Sequence, residues 1–323
     1  MKTGAPLVSI VILNWNSVKY IHQCVEGVLK QSYENIEVVF VDNASSDDSL
    51  KECKERYPAF TYIESRSNLG FTGGMNMGIK HSRGEYVLLL NTDVFLREDY
   101  VRSCVEIMEA NQIIACCSGW EYKWRNFALT DEKVGGALGI RRHLRVTSTN
   151  NDDGYVFGVS GSFPVFRMSA VKEIINDRGG FFDETFETGW EDTEMRFYML
   201  YKGFKTVLNK NTIAWHVGSA SDNENAGMFD KNLNYQKRIF RNRMYVIDRY
   251  IKGFFPLWGL CLSLFDVLLV VFVFLYHNKS MHSYIEAKKE YNMNKLHRKE
   301  QKAIVKANCK ISKQEILSYV IGI

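Results

Sequence analysis

Two groups of acidic residues could carry chemistry, and the first follows a predicted buried strand. Five apolar residues, Tyr86–Leu90, run without a break and predict a strand covered on both faces. The strand ends at Asn91-Thr92-Asp93, so the Asp93 carboxylate follows the carboxyl end of a central strand, where open α/β sheets bind ligands. A hard divalent cation held by this carboxylate and a substrate pyrophosphate would fit there. The alternative is an aspartate that only opens a turn.

The second acidic group precedes and opens a predicted helix. Its carboxylates are Asp183, Glu184, Glu187, Glu191, Asp192 and Glu194. Acidic residues favour helix N-termini, which accounts for one or two of these residues but poorly for the whole set. A carboxylate at a helix start near a ligand cleft could act as general base on a hydroxyl group. Farther along, His216 could complete a metal site with Asp93, although a lone histidine is more often packed or hydrogen-bonded.

Alternating strands and helices are predicted to position these residues. Apolar runs at 7–13 and 36–41 predict the first two strands, and a short strand follows at 60–64. Apolar residues at helical spacing after Ser17, the predicted N-cap, form one intervening helix, and residues 46–57 form the next. This alternation indicates a parallel sheet with right-handed crossovers.

A glycine-rich segment, residues 68–78, comes just before the central strand. Its glycines at 70, 73, 74 and 78 suit close backbone approach, and the segment is predicted to open a helix that ends near His81. The segment is not GxGxxG, and it lacks the lysine of a phosphate-binding P-loop. The missing GxGxxG disfavours a Rossmann dehydrogenase.

Residues 100–208 combine clear predictions with one stretch that has no pattern. Residues 100–111 and 169–176 predict helices, while 113–118 and 205–208 predict strands. Residues 120–157 show no sustained period, so they could be an acceptor-facing loop region or a variable surface insertion.

Composition sets broad limits. The chain has 323 residues, a formal net charge of +4 and 46% hydrophobic residues, enough for one large or two ordinary domains with a substantial core. Its seven cysteines include no CxxC, which argues against a disulfide framework or a zinc site and favours a reducing compartment. Because the first strand begins by about Leu7, we expect no cleavable signal peptide.

Taken together, the motifs resemble an inverting GT-A glycosyltransferase of family 2, and most closely its rhamnosyltransferase-like branch. The resemblance covers about residues 6–222. It rests on Val8–Asn16, Val41–Ser49, Asn68–Asn76, Leu89–Asp93, Trp190–Asp192 and His216–Ser219, in that order. It implies an α/β fold of the GT-A (Rossmann-like) type, a mostly parallel sheet flanked by helices.

The resemblance also assigns a nucleotide-sugar site. Asp42, after the second strand, corresponds to the aspartate that hydrogen-bonds the nucleobase, and the break after the first strand lies beside the same base. The other residues assigned to this site are Asn14, Asn16, Asn68, Gly70, Gly73, Asn76, Asn91 and Thr92. The implied donor is a dTDP- or UDP-sugar, with rhamnose suggested by the branch alone.

The metal ligand and the general base are assigned in the same way. The motif usually written Asp-x-Asp is here Asn91-Thr92-Asp93, which makes Asp93 a ligand of Mg²⁺ or Mn²⁺, with His216 as its partner. Asn91 lacks the charge of the usual first aspartate, but it can offer an amide oxygen or bind the ribose. The Glu–Asp pair resembles the catalytic-base motif, which points to Asp192, with Glu191 as the alternative. The implied reaction is inverting sugar transfer to a hydroxyl of a cell-surface polysaccharide or lipid-linked glycan.

The last hundred residues have a different sequence pattern. The alternation stops near residue 225, which predicts a catalytic domain at 1–225 and a basic helical region at 226–323. The apolar run 254–276 is long enough to cross a bilayer, but Asp266 near its centre costs a span about 2.5–3.5 kcal/mol, and both flanks are basic. We therefore expect a peripheral or monotopic protein on the cytoplasmic face of the cell membrane, against anionic lipid. A buried helix of a C-terminal subdomain, or an oligomer contact, is the alternative.

Two other functional classes compete with the enzyme. A non-catalytic, membrane-docked scaffold on the same fold would have no need of the acidic set Asp42, Asp93, Glu191 and Asp192. A nucleic-acid binder could use the basic C-terminus, but no RNA- or DNA-binding motif accompanies the charge, so no nucleic-acid partner is expected.

Overall fold

The computed structural model describes residues 4–149, 154–218 and 227–321, which fall into two compact units. The first unit comprises Met1–Gly139, Ser148–Glu184 and Phe204–Ala220. The second comprises Ile140–Thr147, Thr185–Gly203 and Ser221–Ile323. The predicted domain boundary near residue 225 and Ser219 of the last motif lie outside the described residues.

Strands and helices alternate only through the first part of the chain. The strands are β1 (Val8–Asn14), β2 (Ile36–Asp42), β3 (Thr61–Glu64), β4 (Tyr86–Asn91), β5 (Val94–Leu96), β6 (Ile114–Arg125), β7 (Ala128–Gly135), β8 (Leu138–Arg141), β9 (Val146–Ser148), β10 (Tyr155–Val156), β11 (Val165–Arg167), β12 (Lys205–His216) and β13 (Val320–Ile321). The α-helices are α1 (Ile21–Leu29), α2 (Ser49–Arg56), α3 (Gly70–His81), α4 (Tyr100–Ala110), α5 (Met168–Arg178), α6 (Glu191–Tyr201), α7 (Leu233–Val246), α8 (Pro256–Tyr276), α9 (Asn278–Met293), α10 (Lys295–Asn308) and α11 (Lys313–Ser318). Short 3-10 turns lie at Glu184–Phe186 and Met228–Asp230, and a π-helical turn at Ile247–Ile251 continues α7.

The first unit is built on one mixed sheet. Its strand order is β10-β12-β6-β11-β4-β1-β2-β3, with β5 paired to β12 and β7 to β6. The strands β3, β2, β1 and β4 are parallel, and β12 is parallel to β6. Strand β11 runs antiparallel to both β4 and β6, so these two point the same way. The prediction of a mostly parallel sheet flanked by helices is therefore confirmed.

The central strands are buried because helices cover both faces of the sheet. The side chains of Ile10, Val11 and Ile12 on β1 are fully buried, as are nearly all of those on β4. Two glycines let α3 lie directly on β1, since a Cβ atom at Gly78 would be 2.2 Å from Cγ1 of Val11, and one at Gly74 would meet Leu13. The glycine-rich segment thus serves helix–strand packing.

Some predicted boundaries were wrong. Ser17 is not an N-cap, because α1 begins at Ile21 and the Ser17 hydroxyl donates to Oδ1 of Asn14 instead. Strand β6 runs to Arg125, well beyond the predicted end at residue 118. The stretch 120–157 holds the end of β6 and β7 to β10, apart from 150–153, which lie outside the described residues.

The second unit is mainly helical. It contains α6 to α11 and a small sheet of order β13-β8-β9. A buried ion pair joins Glu194 of α6 to Arg249, 2.7 Å away, and the Tyr250 hydroxyl donates to the same carboxylate oxygen. Within the described residues, α8 is the one helix long and apolar enough to cross a membrane.

Candidate active site

A buried polar network joins the carboxyl ends of β1 and β2. These strands are in register, so Asn14 is paired with Asp42. The Asn14 amide nitrogen donates to Oδ1 of Asp42 at 2.8 Å and also lies 2.8 Å from the Ser49 hydroxyl. The other Asp42 oxygen accepts from the backbone N–H of Ser45 at 3.1 Å. The Asn14 side chain makes its hydrogen bonds inside the protein. It is therefore placed to orient Asp42.

The loop after β1 is locked to the loop after β2. Asn16 has a left-handed backbone, with φ of 50°, and its side-chain oxygen accepts from the Ser46 N–H at 2.7 Å. Its own N–H donates to the Ser45 hydroxyl at 3.0 Å. Asn16 is solvent-exposed, so the two loops present a defined edge beside Asp42.

Asn43, which was not predicted as a site residue, holds the segment Asn68–Gly70 against this edge. Its side-chain nitrogen donates to Oδ1 of Asn68 at 3.1 Å and to the carbonyl of Gly70 at 3.0 Å. Its side-chain oxygen accepts from the Leu69 N–H at 2.8 Å. The structure therefore brings Asp42 and Asn68 into one part of the first unit.

The two remaining predicted residues of this segment lie in α3. A Cβ atom at Gly73 would be 2.7 Å from Cβ of Leu69, so this position requires glycine or a shift of the leucine. Asn76 donates to and accepts from the backbone of Phe182, at 2.9 Å in both directions, and also donates to Glu184. Its amide thereby fastens α3 to the segment after α5, and its contact with a nucleotide sugar stays a prediction.

Asp93 and His216 meet because β5 pairs with β12. Val94 lies opposite His216 in this antiparallel pair, and the carbonyl of Asp93 accepts from the Val217 N–H at 3.1 Å. Nε2 of His216 lies 3.3 Å from Oδ2 of Asp93. Asn91 and Thr92 precede Asp93 at the carboxyl end of β4 and are partly buried.

A third side chain, Glu121 of β6, completes this arrangement. Its Oε1 lies 2.7 Å from Nδ1 of His216, on the opposite side of the ring from Asp93. A carboxylate on the second nitrogen fixes the tautomer and the ring orientation of a metal-binding histidine. Glu121 lies in the stretch without periodicity, so no sequence signal pointed to it.

The charges of Asp93 and Glu121 stabilise a proton on the His216 ring. Burial acts to lower the pKa of His216, but Asp93 and then Glu121 outweigh it and raise the pKa to about 10. For Glu121, burial acts to raise the pKa, and the hydrogen bond and charge of His216 hold it below its usual value. With both carboxylates ionised and His216 protonated, the three groups carry a net negative charge, so a divalent cation would be attracted here and would displace the proton of Nε2.

The donor set at this point suits a divalent cation shared with a substrate. Asp93 offers a carboxylate oxygen and His216 an imidazole nitrogen, which are ligands of Mn²⁺ and, for the oxygen, of Mg²⁺. In the part of the chain that the structure describes, no three His, Cys, Asp or Glu side chains are arranged to hold a metal by themselves. Two protein ligands leave coordination positions for pyrophosphate oxygens and water.

The predicted base residues open α6 in the second unit. Trp190 precedes them with a left-handed backbone, with φ of 70°. Asp192 is 38% exposed, accepts from Arg196 at 2.8 Å, and accepts from the backbone N–H of Thr193 at 2.5 Å. Asp192 is thus the accessible carboxylate of the pair, held by a cation one helical turn away.

Glu191 differs from its neighbour in its surroundings. Its Oε2 is out of contact with solvent and has no hydrogen-bond partner among the described residues. Burial and, second, the charge of Asp192 raise the pKa of Glu191 to about 8. A carboxyl group with this pKa holds its proton at neutral pH.

The turn before α6 is held by two residues of α7 that were not predicted. Asn242 is fully buried and donates to the carbonyls of Phe186 at 2.8 Å and Gly189 at 2.6 Å. Arg241 donates to the carbonyl of Thr185 at 2.7 Å and to the Glu187 carboxylate at 3.1 Å. Arg241 and Asn242 lie in a stretch of basic and polar residues that is typical of a surface helix, which is why the sequence did not distinguish them.

Comparisons with known proteins identify the family of the chain. Residues 9–175 match the family described as glycosyl transferase family 2. The chain is 34% identical over 232 residues to glycosyltransferase GlyG of Streptococcus pneumoniae serotype 4, covering 67% of this chain and 72% of that protein. It is 37% identical over 114 residues to chondroitin synthase of Escherichia coli, covering 34% of this chain and 16% of that protein. The chain therefore spans only a small part of the chondroitin synthase.

Solved structures share the fold. A mannosyltransferase of Pyrobaculum calidifontis in complex with GDP-Man and Mn²⁺ aligns with a TM-score of 0.56 at 15% identity, covering 95% of this chain and 88% of that one. GalNAc-T7 with UDP, GalNAc and Mn²⁺ aligns with a TM-score of 0.61 at 14% identity, covering 76% and 48%. This confirms the predicted GT-A fold, and the chain belongs to glycosyl transferase family 2.

Proposed function

We propose that this protein is an inverting glycosyltransferase that moves a sugar from a nucleotide-diphosphate donor to a hydroxyl group of a cell-surface polysaccharide or lipid-linked glycan. The observation that carries the proposal is the 3.3 Å contact between Asp93 and His216 at the end of the central strands. A dTDP- or UDP-sugar is the proposed donor, and rhamnose is supported only by the motif resemblance.

The donor-binding role falls to residues of the first unit. Asp42, oriented by Asn14, accepts a hydrogen bond from the nucleobase. Asn16 and the segment held by Asn43 line the same edge. Asp93 and His216 would hold Mn²⁺ or Mg²⁺, which would neutralise the diphosphate and make it a better leaving group. The two structural neighbours described above contain Mn²⁺ with a nucleotide or nucleotide sugar, which supports this part of the proposal.

Proton transfer falls to the start of α6. Asp192 takes the proton from the acceptor hydroxyl as that oxygen forms a bond to the anomeric carbon, while the bond from this carbon to the diphosphate oxygen breaks. The accessibility of Asp192 favours this residue as the base. Glu191, whose Oε2 is buried, is the alternative. Attack opposite the leaving group inverts the anomeric configuration.

The experiment that tests the base assignment compares Asp192→Asn and Glu191→Gln in a donor-hydrolysis assay. Nucleotide-diphosphate release is measured from a panel of donors with Mn²⁺ and with Mg²⁺. If Asp192 is the base, Asp192→Asn lowers turnover by about 10²–10⁴-fold, and Glu191→Gln lowers it less. Near-normal turnover of both variants would show that neither carboxylate is the base.

A further inference from the structure

Helix α8 presents a continuous apolar stripe to solvent. Leu257, Leu264, Leu268 and Leu275 are 80%, 60%, 67% and 63% exposed. Their spacings of seven, four and seven residues place them on one side of the helix. Exposed apolar surface of this extent is unusual for a soluble monomer and marks an interaction surface.

The opposite side of α8 is packed against the second unit. Gly259, Leu262 and Val273 are buried. Asp266, the one charged residue of the helix, lies on this side and accepts from Arg243 of α7 at 2.8 Å. The ion pair neutralises this charge within the protein, so the outer face of α8 carries only uncharged side chains.

A basic loop borders the first half of α8. This loop, Arg141–Arg145, connects β8 to β9. The indole N–H of Trp258 donates to the carbonyl of Arg142 at 2.6 Å, and the His143 ring lies 6.0 Å from the ring of Phe265. The side chains of Arg141, Arg142 and Arg145 are exposed. Positive charge is thus fastened directly beside the apolar stripe.

We propose that the leucine stripe of α8 and the basic loop Arg141–Arg145 form one membrane-docking surface for an anionic bilayer, on the cytoplasmic leaflet. Burial of the leucines among acyl chains removes apolar area from water, and the arginines meet lipid phosphates. A second copy of the chain would cover the leucines equally well but would bring arginine loops of like charge to the same contact.

Helix α8 lies in the plane of the membrane. It is fastened to neighbouring parts of the second unit along its length: by Trp258 to Arg142 near its start, by Asp266 to Arg243 in its middle, and by Phe272 to Phe229 near its end. A span would draw these partners, including the charged residues Arg142 and Arg243, into hydrocarbon, where charged side chains are strongly unfavourable. Docking by one face leaves all of them at the polar surface.

Sedimentation with lipid vesicles tests this proposal. The full chain is mixed with vesicles of phosphatidylcholine alone or with added phosphatidylglycerol, without a sugar donor, so the result is independent of sugar transfer. We expect binding to the anionic vesicles, and about a fivefold loss of the partition coefficient for each arginine replaced among Arg141→Gln, Arg142→Gln and Arg145→Gln. The double variant Leu264→Gln/Leu268→Gln loses at least about tenfold.

Matched control variants distinguish this surface from general charge and hydrophobicity. Leu296→Gln on α10 alters a leucine that is 82% exposed but lies off the stripe, and Lys299→Gln removes an exposed cation from the same helix. Both are expected to bind vesicles like the wild type. Circular dichroism establishes that the variants are folded. Equal binding by the stripe variants and the controls, or no binding of the folded wild type, would overturn the proposal.

Three further readouts test what α8 contacts. Light scattering that gives a dimer, lost in the folded Leu264→Gln/Leu268→Gln variant and accompanied by no vesicle binding, would assign the stripe to a second copy. Alkaline carbonate is expected to release the protein from membranes, whereas resistance to it would indicate a span. In a Cys309→Ser background, the exposed Cys261 of α8 is expected to lose reactivity toward maleimide when anionic vesicles are added.

Discussion

Glu121 and His216 lie 95 residues apart in the sequence, yet Oε1 of Glu121 is 2.7 Å from Nδ1 of His216. This contact fixes the imidazole so that Nε2 faces Asp93. The metal site proposed for this protein therefore depends on a residue that contacts the metal only through its histidine ligand.

Replacement of Glu121 should weaken metal binding without removing a ligand. We expect Glu121→Gln to lower the affinity for Mn²⁺, measured in the presence of UDP by electron paramagnetic resonance, by about 10–100-fold. The matched control is Glu132→Gln, which removes a carboxylate from an exposed ion pair with Arg125. Unchanged Mn²⁺ affinity in the folded Glu121→Gln variant would contradict the orienting role.

Glu191 should make stability fall as pH rises. Its pKa of about 8 lies above the ordinary value of 4.5, so between these pH values the folded protein holds a proton that the unfolded chain has lost. The free energy of unfolding therefore decreases with rising pH over this window. Glu191→Gln should remove this part of the pH dependence and gain roughly 1–3 kcal/mol relative to the wild type between pH 5 and pH 8. Thermal unfolding across this pH range measures it, with the exposed Glu300→Gln as control.

A parallel pH profile of Glu191→Gln and the wild type would be the contrary result for this prediction. It would mean that the carboxyl group of Glu191 is ionised at neutral pH in the folded protein. The protonation state would then no longer distinguish Glu191 from Asp192 as the base.

Asn242 should be essential for the turn that leads into α6. Asn242→Ala removes the side-chain donor of the Phe186 and Gly189 carbonyls, in a turn where Glu187 and Trp190 already adopt positive φ. The Phe186 carbonyl keeps the Thr188 N–H as a donor, so the Gly189 carbonyl is the group left unpaired. We expect a loss of about 2–4 kcal/mol in the free energy of unfolding, measured in urea. Asn292→Ala, which alters an exposed asparagine on α9, should change it by less than about 0.5 kcal/mol.

Turnover of the folded Asn242→Ala variant gives a second readout. Because the turn positions Asp192, kcat should fall while the affinity for UDP stays near the wild-type value. An equal loss of UDP affinity would place the effect of Asn242 outside the turn.

Asn43 should control nucleotide affinity through the segment it holds. Asn43→Ala removes the hydrogen bonds to Asn68 and to Leu69–Gly70. We expect calorimetry to show about tenfold weaker UDP binding. Asn35→Ala, at an exposed asparagine far from this segment in the sequence, should bind UDP normally. Normal binding by Asn43→Ala would separate the segment from the nucleotide site.

The sequence predicted those features that rest on local pattern. The buried run Tyr86–Leu90 predicted β4 because a strand covered on both faces has no polar positions. Asp93 and His216 were paired from their motifs, and β5–β12 pairing brings them together. The apolar run 254–276 likewise predicted the segment that forms α8.

Features that depend on distant partners could not be predicted. Strand β6 is buried on both faces at its start but only partly buried from Trp120 to Lys123, so its apolar pattern stops while its pairing with β12 continues through a bulge. This is why Glu121 was missed. Asn242 and the loop Arg141–Arg145 could not be placed from their own polarity. Their positions follow only from how the helices and strands pack.

The most direct test of the central claim is nucleotide-diphosphate release by the wild type and by Asp93→Ala, with Mn²⁺, with Mg²⁺ and with a chelator, across a donor panel. We predict metal-dependent release from one donor, reduced by at least about 100-fold in Asp93→Ala. Asp131→Ala, which alters an exposed aspartate on β7 of the first unit, should release nucleotide at close to the wild-type rate. Metal-dependent release that is undiminished in Asp93→Ala would contradict the assignment of this site.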